Sequence, residues 1–139
     1  MMGGNFEDTR DTFIALELIH NATLIHDDII DEDQFRRGVL SVPRKFGARK
    51  AVLTGDTLFS LGLMYASQTG KPEVIKQLSE TTLKMIQGIS LQNYNKRKIL
   101  AEEEFLKLNY LKSGSLFEAA AVLGGMIGNS DEDSLKKLA

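Results

Sequence analysis

The sequence predicts an all-α helical bundle, folded as a single domain over residues 1–139. Three observations carry that expectation. Long segments place apolar residues every three or four positions, the spacing of one helix face. Prolines number only two, Pro43 and Pro72, so little interrupts those segments. Alternating runs of β-branched residues, the mark of half-buried strands, are nearly absent. An apolar share of 42% is adequate for a real core.

Charge and composition narrow the function classes. The net charge is -2 and the basic residues are dispersed among acids, so no nucleic-acid partner is expected. With no cysteine, disulfides and thiolate metal sites are excluded. No apolar run reaches membrane-spanning length. Met1, Met2, Gly3 and Gly4 open a polar start without the apolar core of a signal peptide. Nothing argues against a cytoplasmic location, which is the expected one.

The first helix is expected to be capped by Asp8 or Thr9 and to run to about Asp31. A loop over 35–45 follows, containing Pro43. The second helix is expected over Ala48–Gln68, with Val52, Leu53, Leu58, Phe59, Leu61, Leu63 and Met64 apolar at helical spacing. Gly70 stops it, and Pro72 takes the first position of the third helix, which runs to about Asn95. The fourth starts near Ala101, with Glu102, Glu103 and Glu104 at the positive end of its dipole. It passes Tyr110 and Lys112 and loosens at Gly124, Gly125 and Gly128. A last helix is expected after a cap at Asn129 or Ser130.

Residues 16–38 concentrate the chemistry. Leu16, Ile19, Ala22, Thr23 and Leu24 are apolar or small at helical spacing; then Asp27, Asp28, Asp31, Glu32 and Asp33 crowd into seven positions, followed by Arg36, Arg37 and Gly38. On a helix, Asp27 and Asp31 lie one turn apart on one face. Two carboxylates that close repel unless a cation sits between them. Hard oxygen ligands suit Mg²⁺, which bridges carboxylates to phosphates, and arginine forks hold phosphate oxygens bidentately. The segment reads as a metal-and-diphosphate clamp, with Asp27, Asp31 and Asp28 as candidate metal ligands.

This run resembles the first aspartate-rich motif of the trans-isoprenyl (polyprenyl) diphosphate synthases: E-L-I-H at Glu17–His20, H-D-D-x-x-D at His26–Asp31, and R-R-G at Arg36–Gly38. Further matches are the glycine and aspartate at Gly55 and Asp56, a G-x-x-x-Q at Gly88 and Gln92, and a Y-x-x-K stretch at Tyr110 and Lys112, with Ser113 in place of the usual threonine. Leu40 and Ser41 depart from the family's R-R-G-x-P-T. The resemblance implies a bundle of the isoprenoid synthase type. It also implies Mg²⁺-dependent head-to-tail condensation of isopentenyl diphosphate with an allylic prenyl diphosphate. By the same resemblance, Asp27, Asp31 and Lys112 are catalytic. Arg36, Lys112, Ser113 and Gln92 hold the allylic diphosphate, and Arg37 helps to hold isopentenyl diphosphate. For Gln92 an exposed helix glutamine is the other reading. His20 reads as a hydrogen-bonded core histidine, His26 as a brace for the carboxylates or a plain helix residue, Asp56 as a buried acid, and Lys96, Arg97 and Lys98 as a solvated helix end.

The resemblance covers nearly the whole chain but only the middle of the family. The G-G-K-x-x-R signature before it and the second D-D-x-x-D after it are not in this sequence, so the bundle is expected to be incomplete relative to the family. Two readings follow. One is a piece of a synthase, either a subunit completed by a partner or part of a longer protein, and expected as a homodimer or a heteromer with a chain that carries the second motif. The other is a non-catalytic subunit that binds a synthase and alters its product length. Family members close their product channel with bulky residues just ahead of the first aspartate. Here Ala22 and Thr23, with Ile19 one turn away, leave it open, which implies a medium- or long-chain product.

Overall fold

The computed structural model describes residues 6–128 and 132–138. Helix α1 (Phe6–Ile30) is followed by a ribbon of β1 (Phe35–Arg36) and β2 (Val39–Leu40), then α2 (Val42–Phe46), α3 (Ala48–Gln68), α4 (Pro72–Tyr94) and α5 (Glu102–Asn109). A π-helical turn, Tyr110–Gly114, joins α5 to α6 (Ser115–Ile127), and α7 spans Glu132–Leu138. The all-α expectation holds. Asp8 and Thr9 do not cap α1, which has already begun at Phe6. Gly124 and Gly125 lie inside α6 rather than loosening it; Gly125 is buried and Gly128 forms the C-cap. The expected caps Asn129 and Ser130 lie outside the described residues.

The end of α1 is fixed by backbone geometry. Glu32 turns left-handed at φ 56°, Asp33 N–H donates to Asp28 O at 3.0 Å, and Glu32 N–H to Ile29 O at 3.4 Å. This is a Schellman closure, and it leaves Asp27 and Asp31 on the last turn. The ribbon then reverses the chain in two residues. Arg37 (φ 52°) and Gly38 (φ 82°) both have positive φ, as a type I′ turn requires. Ser41 caps α2, accepting from Arg44 N–H at 3.4 Å. The expected loop over 35–45 is thus a built ribbon and a short helix.

Ala15, Ile19, Ala66, Val74, Leu78 and Leu123 form the core, drawn from α1, α3, α4 and α6. The α1–α3 contact inverts the sequence expectation for α3. Its buried positions are Ala51, Gly55, Gly62 and Ala66, a seam of small residues that lets the two backbones close up. A methyl group added at Gly62 would stand 2.8 Å from Ile19 Cγ1. The large residues expected on the inner face, Val52, Leu53, Leu61 and Met64, are exposed instead. Leu83 and Ile86 of α4 are exposed as well.

Candidate active site

Three elements bring one constellation together. Asp27 comes from the last turn of α1 and Asp31 from its closure, Gln92 from the C-terminal end of α4, and Lys112 from the π-helical turn. Lys112 Nζ donates to Asp27 Oδ1 at 3.1 Å and to Gln92 Oε1 at 2.8 Å, and lies 3.7 Å from Asp31 Oδ2. Gln92 Nε2 donates to the same Asp31 oxygen at 3.4 Å. Gln92 is therefore no idle surface glutamine; its amide is held between the ammonium and the carboxylate.

The backbone that carries Lys112 is seated against α4. Gly88 packs so tightly that an added Cβ would stand 2.5 Å from Lys112 N, which explains a glycine in mid-helix despite its stability cost. On the far side, Lys84 Nζ donates to Tyr110 OH at 2.9 Å and to Glu118 Oε1 at 3.2 Å, while Tyr110 OH donates to Glu118 Oε2. The Tyr110 hydroxyl raises the Lys84 pKa above its ordinary value, and Glu118 assists, together outweighing the opposing effect of burial. This triad ties α4, the π-helical turn and α6 together.

Asp28 belongs to a different cluster. It is buried at 2% exposure. Arg36 donates to its Oδ1 through Nε at 2.8 Å and again through Nη2, and also reaches Asp33 Oδ2 at 3.3 Å. The hydrogen bond that Arg36 donates to Asp28 holds its guanidinium above the ordinary pKa, with burial opposing and the nearby carboxylates assisting. The structure therefore does not bring Asp28 to the Asp27–Asp31 pair, nor Arg36 to Lys112. Neighbouring residues on a helix point about 100° apart, and Asp28 turns toward the ribbon.

Two clefts flank α1. The first, about 320 Å³, has Asp27, Lys112 and Ser113 at one end and runs past Thr23, His20, Leu16 and Phe117. The second, about 350 Å³, includes Arg36, Arg37, Asn21 and Asp28, and shares Leu24 with the first. Of the three expected channel residues only Thr23 lines the Asp27 cleft. Ile19 is buried in the core beside Gly62. Ala22, 1% exposed, faces a third hollow with Phe59, Thr82 and Ile86.

Other expectations are corrected. His26 does not brace the carboxylates: its ring packs on Gly55 and its Nε2 lies 3.4 Å from Asp56 Oδ1. Asp56 is exposed, not buried. His20 lines the first cleft, and its buried Nδ1 finds no hydrogen-bond partner among the described residues. Lys96 is solvated, yet its Nζ reaches to 3.8 Å from Asp31 Oδ1. Sequence reasoning missed the role of Lys96, and with it Asp33, Lys84, Tyr110 and Glu118. Lys96 at least stood in a visible basic cluster; nothing local in sequence links Lys84 to Glu118.

The helical bundle, with acids and a lysine facing one another at the mouth of an apolar cleft, has the isoprenoid synthase fold. It superposes on an isoprenoid synthase family member from Thermotoga neapolitana with a TM-score of 0.90 at 32% identity, over 97% of this chain and 54% of that one. The TM-score against a polyprenyl synthase from Caulobacter crescentus, complexed with calcium and isoprenyl diphosphate, is 0.94 at 28% identity, over 99% and 42%. A geranylfarnesyl diphosphate synthase from Natronomonas pharaonis is 33% identical over 97% of this chain and 41% of its own length. The sequence matches the polyprenyl synthetase family over residues 2–139, and the chain belongs to that family. It spans about two fifths of the length of the curated relatives it matches. Among the described residues, no helix is long and apolar enough to cross a membrane.

Proposed function

We propose that the chain is the first-motif component of a prenyl diphosphate synthase, which joins isopentenyl diphosphate to an allylic prenyl diphosphate. The single observation that carries this reading is the convergence of Asp27, Asp31, Gln92 and Lys112, with Asp27 and Lys112 lining an apolar cleft. The donor set fits Mg²⁺. Two carboxylates, already balanced by an ammonium, offer oxygen ligands only, and such a cation keeps several waters and phosphate oxygens besides. Among the described residues no group of three or more His, Cys, Asp or Glu side chains is placed to hold a metal ion.

Mg²⁺, when bound, would offset the charge that develops on the departing diphosphate. The chain's own residues do the rest. Lys112 and Ser113 face the allylic diphosphate at the cleft mouth, and Gln92 keeps Lys112 and Asp31 in register. Thr23, Leu16 and Phe117 give the hydrocarbon a dry wall. Arg37, exposed at the ribbon tip on the second cleft, holds isopentenyl diphosphate. Arg36 fixes the ribbon through Asp28 and so sets where Arg37 stands. Thr23 is too small to close the first cleft, which supports a medium- or long-chain product. The exposed apolar residues of α3 and α4, Leu53, Leu61, Met64, Leu83 and Ile86, support packing of this face against further protein surface, such as a second copy. The retained site favours this reading over a non-catalytic modulator, because a relic has no need of Lys112 aligned to Asp27.

The test is incorporation of isopentenyl diphosphate into prenyl products by the purified protein, with any co-purifying chain identified by mass. Asp27→Ala/Asp31→Ala is expected to lower turnover by about a thousandfold. Arg37→Ala is expected mainly to raise KM for isopentenyl diphosphate, and Thr23→Phe to shorten the products. Turnover unaffected by the double alanine change would overturn the proposal.

A further inference from the structure

We infer that Lys112 is an internal stand-in for the metal: its ammonium occupies the space between Asp27 and Asp31, and a divalent cation gains the pair only when a diphosphate draws the lysine away. The inference rests on the proposed function, since it takes Asp27 and Asp31 as the metal ligands, and it adds how that site is switched.

The geometry is specific. An ammonium has three N–H donors and no acceptor. Here two of them are used on Asp27 Oδ1 and Gln92 Oε1, at 3.1 and 2.8 Å, with Asp31 Oδ2 3.7 Å away. That is the region a cation bridging both carboxylates would fill, and two like charges cannot share it. The backbone at Lys112 is seated directly on Gly88 of α4 and has no room to sink toward that helix. The four-carbon stem is the movable part. Swinging it off the aspartates strands a partly buried ammonium unless another anion receives it, and the diphosphate at the cleft mouth is that anion. Metal and diphosphate thus bind with positive coupling: each removes what the other would have to displace.

The consequence is a counter-intuitive phenotype. Removing a lysine from the diphosphate site should tighten binding of the metal alone. Mg²⁺ titrations of the purified protein, without any phosphate, compare wild type with Lys112→Met, Lys112→Gln, Lys112→Arg and Asp27→Asn/Asp31→Asn. Each is first checked for an intact helical melt by circular dichroism. Lys112→Met and Lys112→Gln are expected to bind Mg²⁺ about tenfold tighter than wild type, because one adjacent like charge is removed. Lys112→Arg keeps the charge and is expected to stay as weak as wild type. The neutral variants are also expected to bind inorganic pyrophosphate, titrated in chelator without metal, about tenfold more weakly. Both neutral variants binding Mg²⁺ no tighter than wild type, including no binding in any of them, overturns the exchange. If Asp27→Asn/Asp31→Asn also weakens Mg²⁺ binding, the metal site stands and only the exchange falls. Adding Asp27→Asn/Asp31→Asn to Lys112→Met is expected to abolish the gained Mg²⁺ binding; a triple variant that titrates like Lys112→Met removes the metal from this pair, and the reading beneath the proposal falls with it.

Discussion

Two charged clusters grow out of the same seven residues, and they differ in almost every physical respect. Asp28, Asp33 and Arg36 come together within nine positions of sequence, in a pocket closed by the ribbon, with Asp28 buried at 2% exposure. Asp27, Asp31 and Lys112 are joined across 85 positions, with Asp27 and Lys112 lining an open cleft, and Gln92 of α4 holds them in register. The first cluster fastens the turn. The second leaves its charges able to exchange partners. A motif written as one string of aspartates is thus two devices back to back, separated by the 100° between successive helix positions.

That contrast can be broken in graded steps. The largest effect on stability is expected from Asp28→Asn. It leaves Arg36 facing a neutral partner in a mostly closed site, and should cost about 2–3 kcal/mol, less than a fully buried pair because Arg36 reaches solvent. Asp27→Asn should cost less, about 1 kcal/mol, because Asp31 at 3.7 Å remains as a carboxylate partner for Lys112. Chemical denaturation measures both, and equal costs would dissolve the distinction between the clusters.

Gly88→Ala comes next. Its methyl meets the Lys112 backbone at 2.5 Å, so α4 and the π-helical turn must part, at about 1–2 kcal/mol. Gly124→Ala, where an added Cβ meets nothing within 4 Å, should instead stabilise by about 0.5–1 kcal/mol. Thermal melts of the two variants should therefore move in opposite directions. A shared direction would mean that the seat of Lys112 is not tight.

The smallest effect is a pH dependence at Lys84. Its folded pKa is raised, by Tyr110 first and then Glu118. The stabilisation is therefore fully present below the ordinary lysine value of 10.5 and is lost as pH rises through the raised one. The stability difference between wild type and Lys84→Met should be flat through neutral pH and shrink in strong alkali. A difference that already shrinks below pH 9 would place its origin elsewhere.

Local punctuation made much of the bundle legible in sequence. Gly70 and Pro72 mark the α3–α4 boundary as expected, and the one-turn spacing of Asp27 and Asp31 puts both beside Lys112. What stayed hidden depends on which face turns inward. In α3 the eye follows Val52, Leu53, Leu61 and Met64, but the buried seam is Ala51, Gly55, Gly62 and Ala66, because close helix approach rewards small residues and hydropathy does not count them. The same blindness sent Ile19 to the channel when Gly62 of α3 packs against it, and Ala22 lines a separate hollow with Phe59, Thr82 and Ile86. Asp28 looked interchangeable with Asp27 because adjacency in sequence says nothing about direction.

The π-helical turn at Tyr110–Gly114 gives the site an unusual kind of dependence on chain length. A π segment is an α-helix carrying one residue more than regular winding accommodates. Deleting a single residue there would let α5 and α6 run on as one regular helix, with better backbone hydrogen bonding. It would also rotate the lysine by roughly 100° relative to one of its two flanks. The position of Lys112 opposite Asp27 is therefore written partly as a count of residues. Substitutions in this stretch are graded in their effects, whereas an insertion or deletion is all or nothing.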